Sequence, residues 1–287
     1  MKKLRFLLFV MLFGSVLCAQ AAFKGHLFII GGGNRPVSMM KKFVELAGRF
    51  KSGRIVVLPM AGATPDESGK AMVEEFKTLG AKDAVYFNLT REQALKPETS
   101  AILDDAGGVY FTGGDQARVT KALLDTPVHR KLLEIYENGA IIGGTSAGAA
   151  IMSEIMITGD EKRPPAAGRE FETLEAGMVI TTPGLGFIRT ALVDQHFATR
   201  KRHNRLISLV AENPKLLGIG IDEATAVIMN PDETFDVIGD KDVIVYDPAS
   251  ARVSAAPGTI IGVTGMIMHV LRPGAKFDLR TRKVLIP

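Results

Sequence analysis

The sequence predicts a doubly wound α/β fold, a mostly parallel sheet in three α/β/α layers with additional strands toward the C-terminus. Three observations predict it. The apolar runs His26–Ile30, Arg54–Leu58, 84–87 and 108–111 are continuous rather than alternating, as in strands buried on both faces. Stretches of helical periodicity separate them: 68–79, where Met72, Val73, Phe76 and Leu79 recur at three- and four-residue spacing, and 116–124. No long linker, internal repeat or low-complexity segment divides the 287 residues.

The elements follow in order from a leader. Met1-Lys2-Lys3-Leu4-Arg5 is basic, residues 6–18 are apolar but too few to cross a bilayer, and Ala19-Gln20-Ala21 is a small-residue cleavage site. Residues 1–21 therefore read as a secretory signal peptide cleaved after Ala21, which leaves a single α/β domain over 22–287, secreted or periplasmic. The formal charge of +4 loses Lys2, Lys3 and Arg5 with the leader and falls to one above neutrality. That excludes the strongly basic surface expected of a nucleic-acid or membrane-surface binder. The only cysteine, Cys18, leaves as well, so the mature chain has neither a disulfide nor a thiol nucleophile.

Further along, residues 218–229, 235–246 and 259–271 are strand-rich and consistent with antiparallel hairpins, and 159–168, rich in Gly, Pro and charge, reads as a surface loop able to border a site. In open parallel sheets ligands bind beyond the carboxyl ends of the strands, so residues just after strands carry most weight. Gly143-Gly144-Thr145-Ser146-Ala147-Gly148 closes the small-residue strand at 140–145 and reads as a nucleophile elbow. In that turn the glycines two before and two after the serine remove side chains that would collide. Ser146 is the candidate nucleophile.

Four other strand ends supply its partners. Gly31-Gly32-Gly33 lacks the spacing of a dinucleotide-binding turn and reads as a tight turn lining a cleft, with no cofactor assigned. Gly113-Gly114-Asp115-Gln116 exposes backbone N–H groups. The amides of Gly114 or Asp115, together with that of Ala147, are candidates to surround an oxyanion, while Asp115 also suits a helix cap and Gln116 points toward the same mouth. The strand at 191–197 ends in Asp194-Gln195-His196. Of the five histidines only His196 has such a setting, and an imidazole suits the task of taking a serine proton. Asp222 and Glu223 interrupt an apolar strand. Either can orient the imidazole, and spacing does not choose between them. Arg200, Arg202 and Arg205 fit a solvated helix face, or a set of guanidinium contacts to a substrate carboxylate.

Together these motifs resemble the cyanophycinases, serine peptidases with a flavodoxin-like, class I glutamine-amidotransferase-like fold. The resemblance rests on Gly113 to Gln116, on Gly144 to Ala149, and on Pro183-Gly184-Leu185-Gly186 ahead of Asp194-Gln195-His196-Phe197. It continues through Arg200-x-Arg202-x-x-Arg205-Leu206, the run from Leu217 to Ala226, and the run from His269 to Leu279. It implies Ser146 as nucleophile, His196 as base and Glu223 as third member. It also implies that Gln116, Asp194, Gln195, Arg200, Arg202 and Arg205 line a substrate pocket, with Gly114, Asp115 and Ala147 near the oxyanion. The implied reaction is exo-hydrolysis of cyanophycin, a poly-aspartate with an arginine on each β-carboxyl, to β-aspartyl-arginine, in which Asp194 complements a substrate guanidinium. No metal or organic cofactor is implied, and the family commonly forms homodimers.

The sequence departs from the family pattern at Lys201, where a glycine is common, in the 159–168 loop, and in its leader, which directs the enzyme to polymer released by other cells or to other β-aspartyl peptides. An aspartyl or isoaspartyl dipeptidase of the same fold, or a binding protein without catalysis, are the alternatives.

Overall fold

The computed structural model describes residues 25–163 and 170–287. The leader expected over 1–21 lies outside them, as do residues 164–168 of the expected surface loop. Strand β1 (His26–Ile30) is followed by α1 (Val37–Ala47), β2 (Arg54–Leu58), α2 (Pro65–Thr78) and β3 (Ala84–Tyr86). Helix α2 starts three residues before the apolar period does, because Pro65 takes a first-turn position where its missing N–H costs nothing. After α3 (Arg91–Ala94) and a 3-10 turn come β4 (Ala106–Phe111), α4 (Gln116–Leu123), α5 (Pro127–Glu137), β5 (Ile141–Thr145) and α6 (Ala147–Ala150).

Strands β1, β5, β4, β2 and β3 pair in that order, all parallel, as the continuous apolar runs require. One face of this sheet carries Phe28, Ile55, Val57 and Tyr110 against Phe43 of α1 and Phe76 of α2, with edge-on ring contacts among them. Gly143 of β5 allows that approach: a Cβ there would stand 2.5 Å from the Phe43 ring. The opposite face, with Ile29, Val56, Val109 and Ile142, packs on α4, α5 and α6 through Val119, Leu132 and Ala149. The order puts β1 beside β5 at one end of the parallel set, which is not the 2-1-3-4-5 order of flavodoxin.

The C-terminal half differs from a simple extension of that sheet. A hairpin of β6 (Ile155–Glu161) and β7 (Val179–Pro183) precedes β8 (Ala191–Gln195), α7 (His203–Glu212), β9 (Leu217–Ile221) and β10 (Thr225–Met229). Then follow β11 (Thr234–Gly239), β12 (Val243–Asp247), β13 (Arg252–Ser254), β14 (Gly262–Thr264), β15 (Ile267–Leu271), β16 (Lys276–Asp278) and β17 (Lys283–Ile286). Strands β10, β11, β16 and β17 extend the large sheet antiparallel from β1 to nine strands, whereas β15-β12-β9-β8 make a second sheet.

Each strand-rich stretch expected at 218–229 and 235–246 is thus split between two sheets. The first breaks at Asp222-Glu223-Ala224, where Ala224 turns to φ +54°. The second breaks after Gly239, where a Cβ would lie 2.3 Å from the Ala224 carbonyl oxygen. The small sheet faces the large one through Val193, Ile219 and Val245, and its outer face is covered by Leu206, Leu209 and Val210 of α7. The carboxyl ends of β1, β4, β5, β8 and β9 therefore meet where the two sheets adjoin.

Candidate active site

Ser146 stands between β5 and α6 with φ +53° and ψ −111°, a conformation that a residue with a Cβ rarely adopts. The flanking glycines are required sterically. A Cβ on Gly144 would lie 2.4 Å from the Gly148 carbonyl oxygen, and one on Gly148 would lie 2.5 Å from that of Phe111. The turn is tied down by Ser146 N–H donating to Ile30 O at 3.0 Å and by Ala149 and Ala150 N–H donating to Ser146 O.

His196 arrives from the other sheet, directly after β8. It too has positive φ, +49°, and its N–H donates to Gly31 O at 2.7 Å. Its Nε2 is 2.8 Å from Ser146 Oγ and its Nδ1 is 2.6 Å from Glu223 Oε1. A carboxylate only accepts, so the proton sits on Nδ1 and the Nε2 lone pair faces the serine hydroxyl. Burial pushes the His196 pKa below its ordinary 6.5. Its hydrogen bond to Glu223 opposes that shift, and the charges of Arg200 and Arg202 reinforce it. The ring is consequently neutral near pH 7 and able to accept the proton of Ser146.

Glu223, in the crossing from β9 to β10, is thereby distinguished from its neighbour. Asp222 points the other way and accepts from Thr199 N at 2.9 Å, Thr199 Oγ1 at 3.1 Å and Lys241 Nζ at 3.2 Å. Burial pushes its carboxyl up, but the N–H groups of Thr199 and Glu223, the Thr199 hydroxyl and Lys241 together hold it below the usual aspartate range. Adjacent carboxylates thus grip the two ends of the turn that starts at His196.

The triglycine after β1 belongs to this centre, which its sequence reading as a cleft-lining turn does not reveal. A Cβ on Gly32 would lie 2.5 Å from His196 Nε2, and one on Gly33 would lie 2.8 Å from Glu223 Oε2. The glycines make room for the catalytic pair, and the only sequence signal is their number directly after a strand.

Several expected roles change. The Asp115 amide is not free for an oxyanion, because it donates to Ala61 O at 2.9 Å, and the Asp115 side chain caps α4 through Ala117 N at 2.8 Å. Gly114, with φ +137° and no room for a Cβ against Ala61 O, forms the turn beside Ser146 with Gly113. Ala147, first in α6, has no intrahelical acceptor for its N–H. Gln116 does not point into open space, since its buried amide donates to the carbonyls of Ile157 and Thr158 and anchors β6.

Asp194 does not meet the cavity as a free carboxylate. It is 1 % exposed and is clasped by Arg205, itself 2 % exposed, whose Nε donates at 2.7 Å and whose Nη2 donates to the second oxygen. The Gln195 N–H also donates to Asp194 at 2.8 Å. A fully buried arginine stays only where such a pair satisfies it. Gln195 Oε1 is 3.5 Å from Ser146 Oγ, and its backbone carbonyl accepts from Arg202 Nη1 at 2.7 Å.

Arg202 is half-buried. Burial and the charge of Arg205 push its pKa down to about 10, so it remains a cation at neutral pH. Arg200 is exposed. With Lys201, Arg205 and Phe171 these arginines line a cavity of about 260 Å³, and the Arg205 guanidinium lies over the Phe171 ring at 5.2 Å. Asn204 Nδ2 donates to Phe171 O at 3.0 Å and fixes that wall. A smaller, apolar cavity of about 110 Å³, between Leu27, Tyr136, Phe187 and Met229, has no residue of the triad in its lining.

The arrangement can generate a serine alkoxide equivalent beside a cationic recess. Residues 27–237 match the model of peptidase family S51. The chain is 34 % identical over 273 residues to a cyanophycinase of Nostoc sp., covering 92 % of this chain and 89 % of the relative. It is 32 % identical to a cyanophycinase of Synechococcus elongatus, with coverages of 91 % and 81 %. The crystal structure of a peptidase from an acI-B1 actinobacterium superposes with a TM-score of 0.66 at 22 % identity, covering 90 % of this chain and 98 % of that one, and shares its fold.

Proposed function

Since this chain belongs to peptidase family S51 and is a serine-type hydrolase, we propose that it is an exopeptidase that cuts cyanophycin into β-aspartyl-arginine. The observation that carries this reading is the unbroken relay Glu223–His196–Ser146 at an elbow, beside a recess lined by arginines. Ser146 Oγ attacks the scissile carbonyl carbon while its proton passes to His196 Nε2. The imidazolium formed is stabilised by Glu223, and the amides of Ala147 and Gly114 face the developing oxyanion. The same proton then goes to the leaving amine as the C–N bond breaks. Water attacks the acyl-serine, with His196 again as base, and restores the enzyme.

In this polymer the aspartate β-carboxyls are amidated, so the free carboxylates are those of the arginyl groups. Arg200, exposed at the cavity, complements these. The leader supports action outside the cytoplasm, on polymer released by other cells. The test is product analysis after incubation of the mature protein with purified cyanophycin, with Ser146→Ala as blank. Serine-dependent release of β-aspartyl-arginine is expected. Intact polymer, with turnover of short isoaspartyl peptides only, would replace this reading by a dipeptidase.

A further inference from the structure

Lys201 sits between Arg200 and Arg202 with φ +53°. Left-handed backbone disfavours any residue with a Cβ, and glycine takes it freely. Among the described residues nine non-glycine positions have positive φ. Five of them, Ser146, Phe171, His196, Lys201 and Ala224, border the triad or its cavity, so the strain is concentrated where the chemistry is. The turn around Lys201 is otherwise regular: Arg200 N–H donates to His196 O, Lys201 N–H to Ala198 O and Arg202 N–H to Phe197 O, at 2.9 to 3.0 Å. None of these bonds needs a side chain at 201, and a glycine would satisfy all of them without strain.

Lys201 lines the cavity, as do Glu170, Phe171 and the three arginines, so the recess is cationic on balance. Arg205 is committed to Asp194, and Arg202 to the Gln195 carbonyl and, at 3.9 Å, to Asp194 as well. Arg200 and Lys201 are therefore the cations of the recess that, among the described residues, pair with no carboxylate. Two such charges on adjacent residues match a substrate with carboxylates on successive units better than one with a single carboxylate.

We propose that Lys201 is a specificity-determining residue, whose ammonium takes a second free carboxylate of a repeating polymer next to the one held by Arg200. The proposal rests on the polymer-cutting function proposed above. It is tested with Lys201→Met, which removes charge and keeps the strain, Lys201→Gly, which removes both, and Lys201→Arg, on cyanophycin and on a synthetic two-unit β-aspartyl-arginine fragment with one of its two arginyl carboxylates amidated, so that a single one is free.

Lys201→Met and Lys201→Gly are expected to raise KM for the polymer about two- to fivefold at low salt, with a smaller effect on the fragment. The rise shrinks as salt is added. Lys201→Arg restores KM, and Lys201→Gly has an unchanged or higher Tm, which a merely structural lysine would not give. Wild-type polymer turnover with unchanged KM in both charge-removing variants would overturn the proposal alone, as would equal KM rises on polymer and fragment. Absence of wild-type polymer turnover would overturn the reading beneath it, and the proposal with it.

Discussion

The imidazole of His196 fills the volume that a side chain on Gly32 would need: a Cβ there would lie 2.3 Å from Cε1 of the ring. Gly32 also has φ +112°, so alanine at this position is opposed both by the backbone and by the ring.

Gly32→Ala is therefore expected to displace His196 from Ser146. A misplacement of about 1 Å in a reacting group costs about a hundredfold in rate, and kcat is expected to fall by at least about that factor. Steady-state kinetics with far-UV circular dichroism as a folding control checks it. Near-normal kcat in a folded variant would contradict the geometry.

The pH profile follows from the lowered pKa of His196. The base works only when neutral, so the acid limb of kcat/KM is centred below pH 6.5. Arg200 is one of the charges that lower this pKa, so Arg200→Ala moves the acid limb to higher pH. Folding stability has the same sign. Between the folded value and 6.5 the unfolded chain binds more protons, so the contribution of His196 is complete above 6.5 and is lost as pH falls through that window. An acid limb at or above pH 7 in the wild type would refute this.

Asp194 and Arg205 are both buried and satisfy each other. Removing one partner leaves an unpaired buried charge, so Asp194→Ala and Arg205→Ala are each expected to cost about 3–5 kcal/mol of folding stability. The double variant costs clearly less than their sum. Urea unfolding measures this, and additive or negligible losses would speak against the pair.

The parts of the site that depend on local geometry were legible in the sequence. Ser146 could be read because an elbow needs small residues at 144 and 148, and His196 because it ends an apolar strand, whereas spacing left Asp222 and Glu223 open and only the family resemblance pointed to Glu223. The direction of a side chain is set by distant partners, and there the sequence reading failed. Asp194 turns to Arg205 across a turn of chain, Gln116 turns to the β6 carbonyls, and the Asp115 amide is taken by Ala61. The parallel strands were evident from their continuous apolar character. The second sheet was not, because only long-range pairing decides that β9 and β12 leave the large sheet while β10 and β11 join it.

The central claim is that Ser146 is the nucleophile activated by His196, and intact-protein mass spectrometry after exposure to a serine-directed fluorophosphonate tests it most directly. One adduct per chain is expected, located on Ser146, absent in Ser146→Ala and formed far more slowly in His196→Ala. An adduct on another residue, or equal labelling of Ser146→Ala, would contradict the account.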